Sequence, residues 1–115
     1  MSLRADRVLV HPLVQASYDD LEAVARSGHR PETSIWKSMQ HAFGRIRTDL
    51  TWGEVISRTS IPAYFVQKYG ATNLYCIDLA SFERAFYTIV GRTAILLDIV
   101  DHRRYDRLFR ARRSR

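Results

Sequence analysis

Cysteine is almost missing from this chain of 115 residues, in which Cys76 is the only one. A lone cysteine cannot form an intramolecular disulfide or half of a Cys-x-x-Cys pair, so nothing in the sequence requires an oxidising compartment. Proline and glycine are scarce too, with 3 and 5 residues, whereas 46% of the residues are apolar. This composition excludes a collagen-like or wholly disordered chain. We expect a folded protein in a reducing compartment, with Cys76 as an inert packing residue.

Long apolar runs are also lacking, because no stretch approaches the roughly 20 residues that cross a bilayer. Residues 1–12 have no long apolar centre of the kind that signal peptides contain. We therefore expect a soluble, cytoplasmic protein that has no membrane partner. The length allows one core and is too short for two ordinary domains. The predicted organisation is a single domain over residues 1–109 and a basic, frayed tail over residues 110–115.

Positive charge is concentrated near the carboxyl end. Residues 102–115 contain seven arginines and one acid, which accounts for the whole net charge of +6, and residues 1–101 are balanced. Clustered arginines attract polyanions such as nucleic acids, because each neutralised phosphate releases a counterion. The alternative is a solvated tail that keeps the protein soluble or contacts an acidic protein. Charge alone does not decide between these interpretations.

The first half of the sequence predicts a short strand and two helices. Residues 7–10 are a short apolar run typical of an edge strand. Ser17 as a cap and Gly28 as a stop predict a helix over residues 17–27. A second helix is predicted over residues 31–50, because apolar side chains recur there at spacings of three and four. These side chains are Ile35, Met39, Phe43, Ile46 and Leu50.

The second half favours strands. Residues 73–79, 82–90 and 93–100 are rich in β-branched and aromatic types, and their separators are short enough to require antiparallel neighbours. Residues 51–72 are predicted to be a connection that includes one short helical turn and that its own aromatic side chains anchor against the core. The predicted fold class is therefore α+β, with the helical hairpin packed on an antiparallel β-meander.

A short helix is predicted after the last strand. Asp101 can cap it, and an apolar stripe can dock it on the sheet. This stripe comprises Tyr105, Leu108 and Phe109. Arg103, Arg104 and Arg107 are then expected to point away from the docked face.

Three segments of the second half match a known pattern. They are IPAYFVQKYGATNLYCIDL, ERAFYTIV and LLDIVDHRRYDRLF. Together with the order of helices and strands, they resemble the RelE/ParE superfamily of toxin–antitoxin toxins over residues 61–109. Before Leu50 only the two-helix layout matches. The resemblance implies a RelE-like toxin that cuts messenger RNA in the ribosomal decoding site and is held silent by a cognate antitoxin.

The resemblance also implies catalytic residues. RNA cleavage through the 2′-OH needs a base, a cation on the phosphorane and an acid for the leaving oxygen. Arg84 matches the family's phosphate-binding strand arginine, and a guanidinium fork suits that task. His102 follows the last strand, where several family members place a histidine, and is the first choice for base or acid. The structural alternatives pair Arg84 with Glu83 or Asp78, and His102 with a neighbouring aspartate.

Two further residues have weaker support. Tyr105 could donate a proton or stack on a base, but its spacing favours core packing. Lys68 lies near the position of the family's catalytic lysines and is otherwise a solvated loop residue. Phosphate contacts of the ribosome or messenger are assigned to Arg103, Arg104, Arg107 and Arg110.

Two acidic residues depart from the family pattern. Asp78 stands where a cation would help, and Glu83 directly precedes the strand arginine. The alternative function is therefore a non-nucleolytic homologue, which is either a ParE-like gyrase poison or an inactive antitoxin- or RNA-binding module. The expected partners are an antitoxin, the ribosome and messenger RNA, in a homodimer or a toxin–antitoxin hetero-oligomer. No cofactor or metal is expected, because the histidines lack ligand spacing.

Overall fold

A computed structural model describes residues 3–113 of the chain, and the side chains of residues 3–110. Within those residues the protein has four α-helices and one five-stranded mixed sheet, which confirms the α+β class. The elements are β1 (Arg7–Val10), α1 (Gln15–Arg26), α2 (Glu32–Thr48), β2 (Glu54–Val55), α3 (Ala63–Tyr69), β3 (Tyr75–Asp78), β4 (Arg84–Val90), β5 (Thr93–Val100) and α4 (His102–Arg113). No helix in the described part is long and apolar enough to span a membrane.

The strands lie in the order β1-β5-β4-β3-β2. β3, β4 and β5 are antiparallel neighbours, as predicted, and β1 adds a parallel strand beside β5. β5 spans Thr93–Val100, the bounds that its apolar run predicted. β2 was not predicted, because two exposed residues are too few to show a strand period.

Each face of the sheet carries its own core. On one face, α2 packs against β4 and β5 through a buried cluster that includes Met39, Tyr87 and Leu96. On the opposite face, α3 and α4 pack around Phe65 and Phe86. The alternation of β4, which predicted opposite faces for Tyr87 and Phe86, is confirmed. β5, an interior strand between β1 and β4, is covered on both faces.

A β-bulge interrupts the pairing of β4 with β5. Phe86 pairs with Asp98, whereas the next residue, Tyr87, pairs with Leu96. Leu97 is therefore the extra residue on β5, and it joins the cluster around Phe86. Because of the bulge, Leu97 and Asp98 both contact the side of the sheet that α3 and α4 cover.

The connection between α2 and β3 is anchored, as predicted, by one of its own aromatics, the buried Phe65, and in addition by the buried side chain of Tyr87 on β4. Its hydroxyl donates to the carbonyl of Leu50 at 3.0 Å and accepts from the N–H of Gly53 at 2.9 Å. A Cβ at Gly53 would lie 2.8 Å from the Tyr87 ring, so this approach requires glycine. The connection also contains α3, a longer helix than the single turn we predicted.

Helix boundaries differ from the prediction at the start of α1 and at the end of α4. α1 begins at Gln15 and has no side-chain cap, so the predicted cap at Ser17 is wrong. A 3-10 turn over Pro12–Val14 leads directly into α1 and replaces the cap. α4 continues through Arg113, beyond the predicted end near residue 109, and the last two residues of the predicted frayed tail lie outside the described residues. The cap at Asp101 is confirmed, because its Oδ1 accepts from the N–H of Arg104 at 2.8 Å.

Candidate functional site

Arg84 is the first residue of β4 and lies where β3 turns into β4. Its Nε donates to Oδ1 of Asp78 at 3.0 Å, and its side chain is 29% exposed. The cross-strand register places Asp78 directly opposite Arg84, which explains the pair. Of the two acids that the sequence offered as partners, the structure selects Asp78. Because Asp78 is 81% exposed, the pair contributes little to stability and can exchange for another anion.

Tyr105 lies against the guanidinium of Arg84, with Cζ 4.2 Å from the ring centroid. The same ring stacks on Phe109 at 4.6 Å and on Phe86 at 6.1 Å. Tyr105 therefore packs in the core, as its spacing predicted, and also contacts the predicted phosphate-binding residue. Burial raises the pKa of its hydroxyl, so the group stays protonated at neutral pH and can donate a hydrogen bond.

His102 is the first residue of α4, and its side chain is 64% exposed. Its Nε2 lies 3.4 Å from Oδ2 of Asp106, one turn along the helix. Arg84 pairs in register with Val100, which precedes His102 by two residues, so Arg84 and His102 lie at the same end of the sheet. In the described part of the chain no hydrogen bond or ion pair joins the two side chains directly. Tyr105 lies one turn after His102 on α4 and contacts Arg84.

A cleft of about 350 Å³ opens beside Arg84 at the turn from β3 to β4. Its lining consists of Asp78, Leu79, Ser81, Phe82, Glu83 and Arg84. Ser81 and Phe82 both adopt left-handed backbone, with φ of 60° and 61°. Phe82 is 83% exposed. The sequence predicted Phe82 as the first residue of a strand, and no signal indicated its exposure.

Glu83 does not pair with Arg84. It lines the cleft and also a neighbouring cavity of about 290 Å³, whose walls include residues of α1 and α2. Burial raises the pKa of Glu83, and the nearby charges of Asp101 and Glu32 raise it further. Asp78 and Glu83 both place a carboxyl group in the lining of the cleft, and Asp78 is the one that pairs with Arg84.

Arg104 takes part in a second polar cluster, between α3, α4 and β5. Its Nη2 lies 2.9 Å from Oδ2 of Asp98, a carboxylate whose residue is 9% exposed. The hydroxyl of Tyr64 donates to the same oxygen at 3.1 Å, and Nζ of Lys68 donates to that hydroxyl at 3.1 Å. The expectation that Arg104 points away from the docked face is therefore wrong. The bulge in β5 directs Asp98 toward α4, and the buried carboxylate draws Arg104 inward.

The predicted catalytic residues are thus divided between two places. Arg84, Tyr105 and His102 lie at one end of the sheet, whereas Lys68 belongs to the cluster around Asp98 and makes no contact with Arg84 among the described residues. Asp98 was not predicted from the sequence to be a buried carboxylate that pairs with Arg104. The available signal was a lone acid inside the apolar run of β5, where burial demands a partner.

The outer side of α4 is cationic. Arg103, Arg107 and Arg110 follow at helical spacing and are exposed. Arg110 lies 3.7 Å from Oδ2 of Asp106, whereas no ion pair involves Arg103 or Arg107 among the described side chains. As predicted, Arg103 and Arg107 face away from the core. They form an open cationic stripe that leads away from His102.

The described part of the chain shows neither a metal-binding cluster nor a reactive thiol. Residues 3–113 contain no cluster of three or more histidine, cysteine, aspartate or glutamate side chains that could hold a metal ion. Burial raises the pKa of the Cys76 thiol to about 12, so this residue is a protonated packing group.

Comparison of the chain with protein-family models, curated proteins and solved structures finds no match.

Proposed function

We propose that the protein is a RelE/ParE-like toxin that acts as a ribosome-dependent endoribonuclease on messenger RNA. The observation that carries the proposal is the grouping of Arg84, Tyr105 and His102 at one end of the sheet, below the cationic stripe of α4. The α+β architecture supports it, since α1 and α2 are adjacent helices and β3, β4 and β5 form a meander.

The proposed reaction is attack of a ribose 2′-oxygen on the adjacent phosphorus. His102 accepts the 2′-OH proton, and Asp106 holds its ring in place. The new P–O2′ bond yields a 2′,3′-cyclic phosphate as the P–O5′ bond breaks. The Tyr105 hydroxyl is the proton donor available for the leaving 5′-oxygen. Arg84 exchanges Asp78 for the phosphate and stabilises the negative charge of the phosphorane.

The arginines of the cationic stripe position the RNA. Arg103 and Arg107 are free of ion pairs among the described side chains and can contact phosphates without reading sequence. Lys68 has no role in this proposal, because its ammonium group is engaged by Tyr64.

The decisive experiment adds the protein to a translating extract and maps new messenger 5′ ends. The wild type is expected to create such ends, and the Arg84→Ala, His102→Ala double variant to lose about 10²- to 10⁴-fold in rate. Arg26→Ala, which removes an exposed cation on α1, is the matched control and is expected to cleave normally. Identical 5′ ends with wild type and double variant contradict the enzymatic proposal.

The second candidate is a homologue that binds without cleaving. It is favoured by the acidic partners of both key residues, since Asp78 occupies Arg84 and Asp106 occupies His102. This candidate is a ParE-like gyrase poison, or an inactive module that binds an antitoxin or RNA. Intact transcripts together with DNA breaks stabilised on gyrase support the poison, and intact transcripts without breaks support the inactive module. In either case the expected antitoxin is an acidic segment that covers the cationic stripe.

A further inference from the structure

We propose that the cleft at the β3–β4 turn is a nucleobase subsite in which Phe82 stacks on an unpaired base and Asp78 accepts a hydrogen bond from its amino group. The subsite takes adenine, cytosine or guanine and disfavours uracil. This inference rests on the proposed function, because it assumes that single-stranded RNA reaches Arg84.

The first observation is the conformation of the turn. Ser81 and Phe82 both have left-handed φ, which side chains other than glycine adopt only at an energetic cost. Such strain concentrates at functional sites. Here its result is to hold a phenyl ring away from both cores, with 83% of the residue exposed. An exposed aromatic ring beside a cationic group is the arrangement on which single-stranded RNA bases stack.

The surroundings of Phe82 favour a base over an apolar protein partner. Charged side chains share the cleft with the ring, namely those of Asp78, Glu83 and Arg84. An apolar docking site would need a wider continuous patch, but Leu79, the other large apolar residue of the lining, is buried. The cleft volume of about 350 Å³ falls in the range of small-ligand sites. Arg84, two residues after Phe82, is placed for the adjoining phosphate.

Asp78 determines which bases the subsite prefers. Its Oδ1 accepts from Arg84, and Oδ2 has no partner among the described residues. A carboxylate only accepts hydrogen bonds. Cytosine presents an amino donor at the position where uracil presents a carbonyl acceptor, and adenine and guanine also carry amino groups. A base that approaches Asp78 through this position would, if it were uracil, place its carbonyl oxygen against a negative charge.

The test measures binding of labelled five-nucleotide oligo(C) and oligo(U) RNA to the full chain by fluorescence anisotropy. The wild type is expected to bind oligo(C) several-fold more tightly than oligo(U). Phe82→Ala and Phe82→Leu are each expected to weaken oligo(C) binding about 10-fold, because neither side chain stacks, whereas Phe82→Trp retains it. Leu13→Ala, which trims another exposed apolar residue, is the matched control and is expected to leave binding unchanged. Phe82 is exposed, so thermal melts are expected to show all these variants folded.

Asp78→Asn tests the base preference separately. Its amide can donate to uracil as well as accept from cytosine, so the ratio of the two affinities is expected to fall toward one. Equal wild-type affinities for the two RNAs, or Phe82→Ala binding as well as wild type, overturn the subsite. Phe82→Leu binding oligo(C) as tightly as wild type would show that the contact does not depend on aromatic stacking, and it also overturns the subsite. If messenger cleavage persists in those cases, only the subsite fails; if the wild type neither binds RNA nor cleaves it, the proposed function fails as well.

Discussion

The guanidinium of Arg84 lies 4.2 Å from the ring centroid of Tyr105, so that a cation from β4 and an aromatic side chain from α4 meet directly. Such a contact contributes about 0.5–2 kcal/mol, depending on its desolvation. It orients the guanidinium without using its hydrogen-bond donors. The donors that Asp78 does not occupy are therefore free for an incoming phosphate.

Asp78→Asn is expected to strengthen RNA binding overall. The substitution removes a negative charge that competes with phosphate for Arg84. The plot of log affinity against log salt should steepen by about 0.7, the value for one additional phosphate contact on a single strand. Asp20→Asn, which removes the same charge from exposed α1, is expected to change neither quantity. An unchanged affinity and slope for Asp78→Asn would show that Asp78 does not compete with phosphate for Arg84.

Arg104→Ala is expected to lower the free energy of unfolding by about 2 kcal/mol, because it leaves the carboxylate of Asp98 buried without a cation. Arg107→Ala removes a cation of the same helix that has no ion pair among the described side chains, and is expected to change stability by less than about 0.5 kcal/mol. Urea denaturation measures both. Equal effects would contradict the structural role of Arg104.

The contrast between Arg104 and Arg107 also shows where prediction from sequence ends. Helical spacing assigned the docked stripe of α4 correctly, and the apolar run of β5 predicted its bounds. The spacing of Arg104, however, is compatible with either a flank or the outer face. The β-bulge decides the matter, since it turns Asp98 toward α4, and no local sequence pattern indicates a bulge at that position.

The candidate site was predictable to a similar extent. The strand-end positions of Arg84 and His102 followed from chain order, because the strands are short and antiparallel. Phe82 was not predictable, since its exposure arises from two successive left-handed residues that are not glycine. Lys68 was separated from Arg84 by the placement of α3, which depends on packing between elements distant in sequence.

Glu83→Gln is expected to stabilise the protein at pH 7. Burial raises the pKa of Glu83 above its ordinary value of 4.5, so the folded state holds this proton more tightly than the unfolded state does. Stability is therefore lost as the pH rises from about 4.5 through the raised pKa, and the loss persists at neutral pH. Glutamine carries no charge, so the Glu83→Gln variant avoids this loss of stability. The urea midpoints of the wild type and of Glu83→Gln should differ at pH 7 and should agree at pH 3.5. A difference of equal size at both would contradict this explanation.

Ser81→Gly is expected to stabilise the fold by about 0.5–1 kcal/mol, because glycine adopts a positive φ without the steric cost that serine incurs. Ser81 is exposed and its side chain makes no hydrogen bond in the described part of the chain, so little is lost. A thermal melt should show the gain as a rise of a few degrees. A fall in the melting temperature would show that the serine supports the turn in another way.

The position of β5 determines when the fold and the site can be completed during translation of the chain. Both of its neighbours, β1 and β4, precede it in the chain, so β1 lacks a partner strand until residue 100 has been made. Tyr105 and His102 come later still, on a helix that needs the finished sheet for support. A nascent chain therefore carries Arg84 without the residues that complete its site. If the protein attacks translating ribosomes, this order of assembly spares the ribosome that is producing it.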